Sequence, residues 1–245
     1  WLSEIILQQT QIKQGLPYYN KFIQTYPNVE SLSDSSEQDV LKNWEGLGYY
    51  SRARNLHKAS KLVVEKYKSQ FPKTYNELIK LPGIGDYSAS AISSFSNDEL
   101  NPVVDGNVYR FISRLFGIST VINTTASLKE FKELLNKLIC KNNPSDFNQA
   151  IMEFGALVCK PKTPNCKSCI YNKVCYSFKN KSIFDFPVKK KPSKPKSRFL
   201  NYFVIIDKNN KIIVNQRKQK DIWQNLYQFP LFESDKNLNK SLLYN

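Results

Sequence analysis

Four cysteines, spaced Cys159-x6-Cys166-x2-Cys169-x5-Cys175, fall within 17 residues. The loop between them carries Pro161, Pro164, Lys160, Lys162, Lys167 and Lys173. Thiols this dense among prolines and lysines cannot close an ordinary apolar core, so the loop needs disulfides or a metal centre to hold it. Four thiolates can complete a tetrahedral zinc site or ligate an iron–sulfur cluster. Zinc sites usually combine two tight Cys pairs, and here only Cys166 and Cys169 form one, so the spacing favours a [4Fe–4S] cluster over zinc. Disulfides come third, because a fifth cysteine, Cys140, is left over and free thiols suit a reducing compartment.

The 245 residues allow one large domain or two smaller ones, and 41% hydrophobic content is enough for real cores. There is no apolar run long enough to span a bilayer and no basic n-region of a signal peptide at WLSEIILQQT. The expected location is cytoplasmic, on the nucleoid if the source is bacterial, without a membrane partner. The chain lacks a start Met and opens inside an amphipathic pattern, and so reads as a fragment truncated at both ends. A net charge of +15 favours a polyanionic partner through counterion release, although a merely lysine-rich surface has the same count.

Apolar residues recur at helical spacing over 3–26, 35–44, 52–68, 88–95, 107–116 and 127–139. Thr74-x-x-Glu77, Ser127-x-x-Glu130 and Asp34-x-x-Glu37 read as helix-start boxes. Composition then shifts. PVKKKPSKPKSR at 187–198 is a Pro/Lys linker, and FLNYFVIID and KIIVNQR around a polar KNN turn read as a β-hairpin. The organisation expected is a mostly α domain over 1–180, a linker over 181–198 and the start of a β-containing domain over 199–245.

Residues 74–92, TYNELIKLPGIGDYSASAI, give a helix, a Leu81-Pro82-Gly83-Ile84-Gly85 turn and a second helix. Gly83 and Gly85 allow another backbone to come close, and the amides opening the second helix form a ready phosphate site. Such a contact positions DNA without reading it. The plainer alternative is a helix–turn–helix corner.

LPGIG, VVDGNVYR at 103–110 and the four-cysteine loop together resemble the helix–hairpin–helix DNA glycosylase superfamily of endonuclease III. Within it, WLSEIILQQTQ and WEGLGYYSRARNL at 44–56 are similar to the MutY family of adenine DNA glycosylases, and WQNLYQFP at 223–230 resembles the beginning of that family's Nudix-like C-terminal domain. The resemblance implies a helix–hairpin–helix glycosylase fold with a [4Fe–4S] loop over 159–175, acting as a monomer on double-stranded DNA. Its implied substrate is adenine opposite 8-oxoguanine or guanine, removed by hydrolysis of the N-glycosidic bond.

That chemistry needs a proton for the leaving base and a negative charge facing the cationic sugar, a division that two carboxylates can make. By resemblance, Glu4 is the general acid at adenine N7. Asp105 stabilises or attacks the anomeric carbon, and Asn107 orients the nucleophile. The plainer roles are a first-turn acid for Glu4 and a cap for the helix opening at Gly106 for Asp105. Tyr87 occupies the position of the Schiff-base lysine of bifunctional relatives, and a phenol cannot form an imine, so the implied enzyme is monofunctional. Gln9, Thr10, Leu47 and Tyr49 match the surface that holds the opposite strand while the adenine is flipped out. The lone histidine, His57, is expected to be a surface or packing residue and not to catalyse. Two other readings remain open: a bifunctional glycosylase/lyase, and a non-enzymatic DNA-binding module with a structural metal.

Overall fold

The computed structural model describes residues 1–191 and 197–236. Helices dominate up to residue 179. Two short helices, α1 (Leu2–Ile6) and α2 (Ile12–Thr25), replace the single helix expected over 3–26. The break is local: Gln9 takes a left-handed φ of 55°, which an α-helix cannot carry, although the apolar spacing continues across it. Next come α3 (Val29–Asp34), α4 (Glu37–Asn43) and α5 (Ser51–Tyr67). The hairpin is α6 (Tyr75–Leu78) and α7 (Asp86–Asn97), followed by α8 (Gly106–Phe116), α9 (Thr125–Leu138), α10 (Pro144–Glu153) and α11 (Tyr176–Lys179).

The starts differ from expectation by small shifts of the cap. Ser36, not Asp34, caps α4, and Thr124 caps α9 with Ser127 closing its box from the third position. Thr74 sits at the N-cap of α6, but its hydroxyl bonds the Glu77 carboxylate at 2.8 Å and not a backbone amide. At α4 and α9 a neighbouring hydroxyl takes the orphan amide that the expected cap would have bonded.

Two cores form. One gathers Ile5, Ile6, Phe22, Trp44, Leu56, Val63 and Leu78 from α1 to α6; the other gathers Val108, Ile112, Phe131 and Leu135 from α8 and α9, with Ile151 from α10. Helix α7 serves both sides. It buries Ala89 and Ile92 in the first core, and its Ser94 hydroxyl accepts from Asn148 of α10 at 2.9 Å. Asn148 is fully buried and fully used: it also donates to the Asn101 carbonyl at 2.9 Å and accepts from the Val103 amide at 3.0 Å. This amide fixes the chain leading to Asp105. Small residues along α7 (Ser88, Ala89, Ser90, Ala91) let the two lobes approach.

The expected linker starts later than 181. Residues Ile183–Asp185 form a 3-10 turn, Arg114 donates to the carbonyls of Ile183 and Phe186, and Ile122 N–H donates to the Val188 carbonyl at 2.9 Å. Beyond it, β1 (Phe199–Tyr202) pairs antiparallel with β4 (Leu231–Ser234), and β2 (Asn215–Gln216) with β3 (Tyr227–Gln228). The expected hairpin survives only at its tip, as an Ile206–Ile212 bridge closed by the Asp207 carboxylate on the amides of Asn209 and Lys211. The first arm instead takes a strand 30 residues further on (Tyr202 with Leu231 through Phe199 with Ser234), so a local pattern alone mispaired it. This segment docks on the helices: Arg54 donates to the Gln224 carbonyl at 2.9 Å, and Asn225 donates to the Glu37 carboxylate at 2.5 Å. Among the described residues no helix is long and apolar enough to cross a membrane.

Candidate active site

Three elements meet between the lobes. α1 brings Glu4, the start of α7 brings Tyr87, and the start of α8 brings Asp105. Burial pushes the Glu4 carboxyl above its ordinary value; the Tyr87 hydroxyl pulls the other way without cancelling it. The Tyr87 phenol is raised by burial first, and then by the charges of Glu4 and Asp105, so both carboxylates act on it. It therefore stays neutral as a hydroxyl donor turned to Glu4.

Asp105 caps α8, its Oδ1 accepting from the Val108 amide at 2.7 Å. Its Oδ2 accepts from Asn107 Nδ2 at 2.7 Å. Capping and catalysis are compatible here, because the cap uses one oxygen and fixes the direction of the other. Asn107 is held in turn: its Oδ1 accepts from Arg110 Nη2 at 2.8 Å. Arg110 also donates to the carbonyls of Gly155 at 2.6 Å and Cys159 at 2.8 Å. Gly155 lies in a π-helical turn, Phe154–Val158, that runs into the cysteine loop. A Cβ at Gly155 would meet Asn107 O at 2.7 Å, so only glycine lets this turn lie against α8.

The four loop cysteines carry free thiols and line one cavity, with Phe111, Leu115 and Phe154 as its apolar wall. Burial and the three other thiols push the Cys166 thiol up, as expected where sulfurs crowd together. Arg114 braces the cavity, its Nη1 3.5 Å from Cys159 Sγ and donating to the Lys160 carbonyl at 2.8 Å. Among the described residues no three His, Cys, Asp or Glu side chains gather tightly enough for a single metal ion. The donor set, four thiols around one cavity with a cation beside them, fits a larger thiolate-bound body such as a cluster.

A second surface lies beside the hairpin. Gln9 is exposed on its left-handed turn, and Tyr49 is 63% exposed at φ 48°. Leu47 does not belong to this exposed face: it is 4% exposed and packs in the first core, because the flanking glycines turn the loop back on itself. The residue that assembles the surface is Arg52, which sequence reading missed. Its Nη1 donates to the carbonyls of Ile6 at 2.7 Å and Gln8 at 2.6 Å and to Thr10 Oγ1 at 3.1 Å; its Nη2 donates to the Gly48 carbonyl at 3.3 Å. The guanidinium also lies over the rings of Trp44 and Tyr49, 5.2 and 5.5 Å from their centres. Gln8, likewise missed, ties this turn to the hairpin by donating to the Gly83 carbonyl at 3.2 Å and Ser88 Oγ at 3.1 Å. At the hairpin, Gly83 has φ 80° and its Cβ would strike Asn55 at 2.7 Å, whereas a Cβ at Gly85 would meet open space. His57 is buried with its Nε2 3.1 Å from the Ser35 carbonyl, which selects the packing role over the surface one.

The model of the HhH-GPD superfamily of base excision DNA repair proteins matches residues 2–137. An adenine DNA glycosylase of Buchnera aphidicola subsp. Schizaphis graminum is 39% identical over 96% of this chain, which spans 67% of that relative. The Mus musculus adenine DNA glycosylase is 39% identical over 73% of the chain and 35% of its own length. Among solved structures, a thermostable thymine-DNA glycosylase is similar at a TM-score of 0.67 and 28% identity, covering 73% of this chain and 82% of the other. An endonuclease III in a non-covalent DNA complex shares the fold at a TM-score of 0.65 and 24% identity, covering 74% and 83%.

Proposed function

The chain belongs to the adenine DNA glycosylases of the HhH-GPD superfamily of base excision DNA repair proteins, and from that premise we propose that it excises adenine opposite 8-oxoguanine or guanine as a monofunctional hydrolase. One observation carries the reading: the side chain under the charges of both Glu4 and Asp105 is a phenol, Tyr87, where lyase chemistry would need an amine. The raised Glu4 carboxyl holds its proton more firmly than an ordinary carboxyl and is suited to give it to adenine N7. The bond from the sugar C1′ to the base then breaks with its electron pair on the base. Asp105, fixed by the Val108 amide and Asn107, offsets the positive charge developing on the sugar. Water adds its oxygen at C1′ and releases a proton, leaving an abasic site and an uncut strand.

The adenine must leave the stack for this to happen. Tyr49 and Gln9 are exposed side by side with the hairpin and suit the opposite strand, with Thr10 held behind them by Arg52. Gly83 and Gly85 offer the sugar–phosphate backbone a close approach. Cys159, Cys166, Cys169 and Cys175 would hold a [4Fe–4S] cluster. When bound, it supplies four iron–thiolate links that close the basic loop; the hydrolysis itself transfers no electrons. The segment from residue 199 onward is read as the start of a domain that helps to recognise the opposite base, of which 237–245 lie outside the described residues, as do 192–196 of the preceding linker.

The test is single-turnover excision on a duplex with adenine opposite 8-oxoguanine, with Glu4→Gln beside the native chain. Strand breaks that need alkali, and vanish in Glu4→Gln while duplex binding remains, support the reading. Breaks without alkali overturn the monofunctional assignment, and binding without excision favours a DNA-binding module. A visible iron–thiolate absorption lost in Cys166→Ser supports the cluster.

A further inference from the structure

The hairpin contains a contradiction. Helix α7 opens at Gly85 with no side-chain cap, so its first amides are free for an anion, yet its first residue is Asp86. A carboxylate in the first turn favours the helix by itself, but it repels any phosphate arriving at the same end. The structure resolves this through Lys132, from the second turn of α9. Its Nζ lies 2.5 Å from Asp86 Oδ1 and 3.3 Å from Ser90 Oγ, and 4.9 Å from the centre of the Tyr75 ring. The Tyr75 hydroxyl donates to the same Asp86 oxygen at 2.7 Å. Both charged side chains are largely withdrawn from water, at 22% and 28% exposure, so the pair is screened less than the exposed ones on the same helix such as Lys129–Glu133.

We propose that Lys132 is a positioning residue for DNA binding, acting by masking the Asp86 charge at the phosphate-facing end of α7 and not by touching the DNA. The proposal rests on the hairpin's role in the reading above. It differs from an ordinary basic contact in one respect: its loss is repaired by removing the acid.

The experiment measures duplex affinity of the whole chain at low and high salt for Lys132→Met, Asp86→Asn and the double variant, with melting temperatures alongside. Lys132→Met is expected to bind on the order of tenfold more weakly at low salt, with the deficit closing at high salt. The double variant should return to within about twofold of the native chain, and Asp86→Asn should bind at least as tightly as it. A double variant as weak as Lys132→Met overturns the proposal, because Lys132 then contacts DNA itself. A deficit that persists at high salt and follows a lowered melting temperature also overturns it, as does no deficit at all. Gly85→Glu tests the hairpin separately, since a Cβ there meets open space, with the melting temperature as its folding control. If Gly85→Glu binds normally, the hairpin reading fails; if it alone loses binding, only the mask fails.

Discussion

Arg52→Met removes the guanidinium that joins the 8–10 turn to the 46–49 loop while keeping most of the side chain's apolar stem. Arg52 is 7% exposed and has no carboxylate partner among the described residues; its charge is met by carbonyl dipoles, the Thr10 hydroxyl and the Trp44 and Tyr49 rings. The two shortest bonds, to the carbonyls of Ile6 at 2.7 Å and Gln8 at 2.6 Å, count most. Hydrogen bonds to a charged group contribute about 1.5–3 kcal/mol each, or roughly 3–6 kcal/mol for the pair. Releasing a desolvated cation, whose Nε has no partner, returns part of this. The net loss should be about 3 kcal/mol, a fall in melting temperature of roughly 6–12 °C for a helical body of this size. Excision should suffer beyond stability, because Tyr49 loses the cation beneath its ring and Gln9 and Thr10 lose their anchor. The assay is thermal unfolding by circular dichroism, with excision of adenine opposite 8-oxoguanine measured well below the transition. A melting temperature within about 2 °C of native, or unchanged excision, refutes the account of Arg52 as the organiser of this surface.

Asn148→Leu strands the Val103 amide and the Asn101 carbonyl inside the protein, and should cost about 3 kcal/mol in urea unfolding. Glu4→Gln should lower excision by at least about 10²-fold, and should also stabilise the fold at neutral pH. Between the ordinary carboxylate range and the raised native value, the folded chain holds a proton on Glu4 that the unfolded chain gives up. Stability from this group is therefore present at acid pH and is lost as pH climbs from the ordinary carboxylate range through the raised native value. Melting temperatures of both proteins across about pH 4 to 8 should converge at the acid end and separate at the neutral end. Gly155→Ala places a methyl 2.7–2.9 Å from Asn107 backbone and side-chain atoms, so Asn107 and the Asp105 oxygen it holds must shift. Excision should fall on the order of 10²-fold with duplex binding retained, read from the single-turnover rate at saturating enzyme.

What was legible in the sequence was what local chemistry determines. The hairpin declared itself because a turn with left-handed Gly83 needs glycine, and the cap at Asp105 because a helix opening at Gly106 leaves amides to satisfy. The cysteine loop declared itself because no other composition explains four thiols so close together. The residues that escaped were those whose partners lie far along the chain. Arg52 looks like one more surface base on an amphipathic helix, yet it is buried by a turn more than 40 residues earlier. Asn148 looks like a polar helix residue until the extended segment at Val103 is laid against it. The break at Gln9 escaped for a related reason: its conformation is imposed by Arg52 and by Gln8 reaching 75 residues to Gly83, while the hydrophobic spacing on either side stays helical. The same argument links the two functional surfaces. Glu4 and the Gln9 turn lie on one short segment pinned from one side by Arg52 and from the other by the hairpin, so a disturbance of either anchor moves the acid and the opposite-strand contact together. On the proposed reading, recognition of the opposite base and protonation of the adenine would therefore be mechanically coupled through residues 4–10, which no motif in that segment spells out.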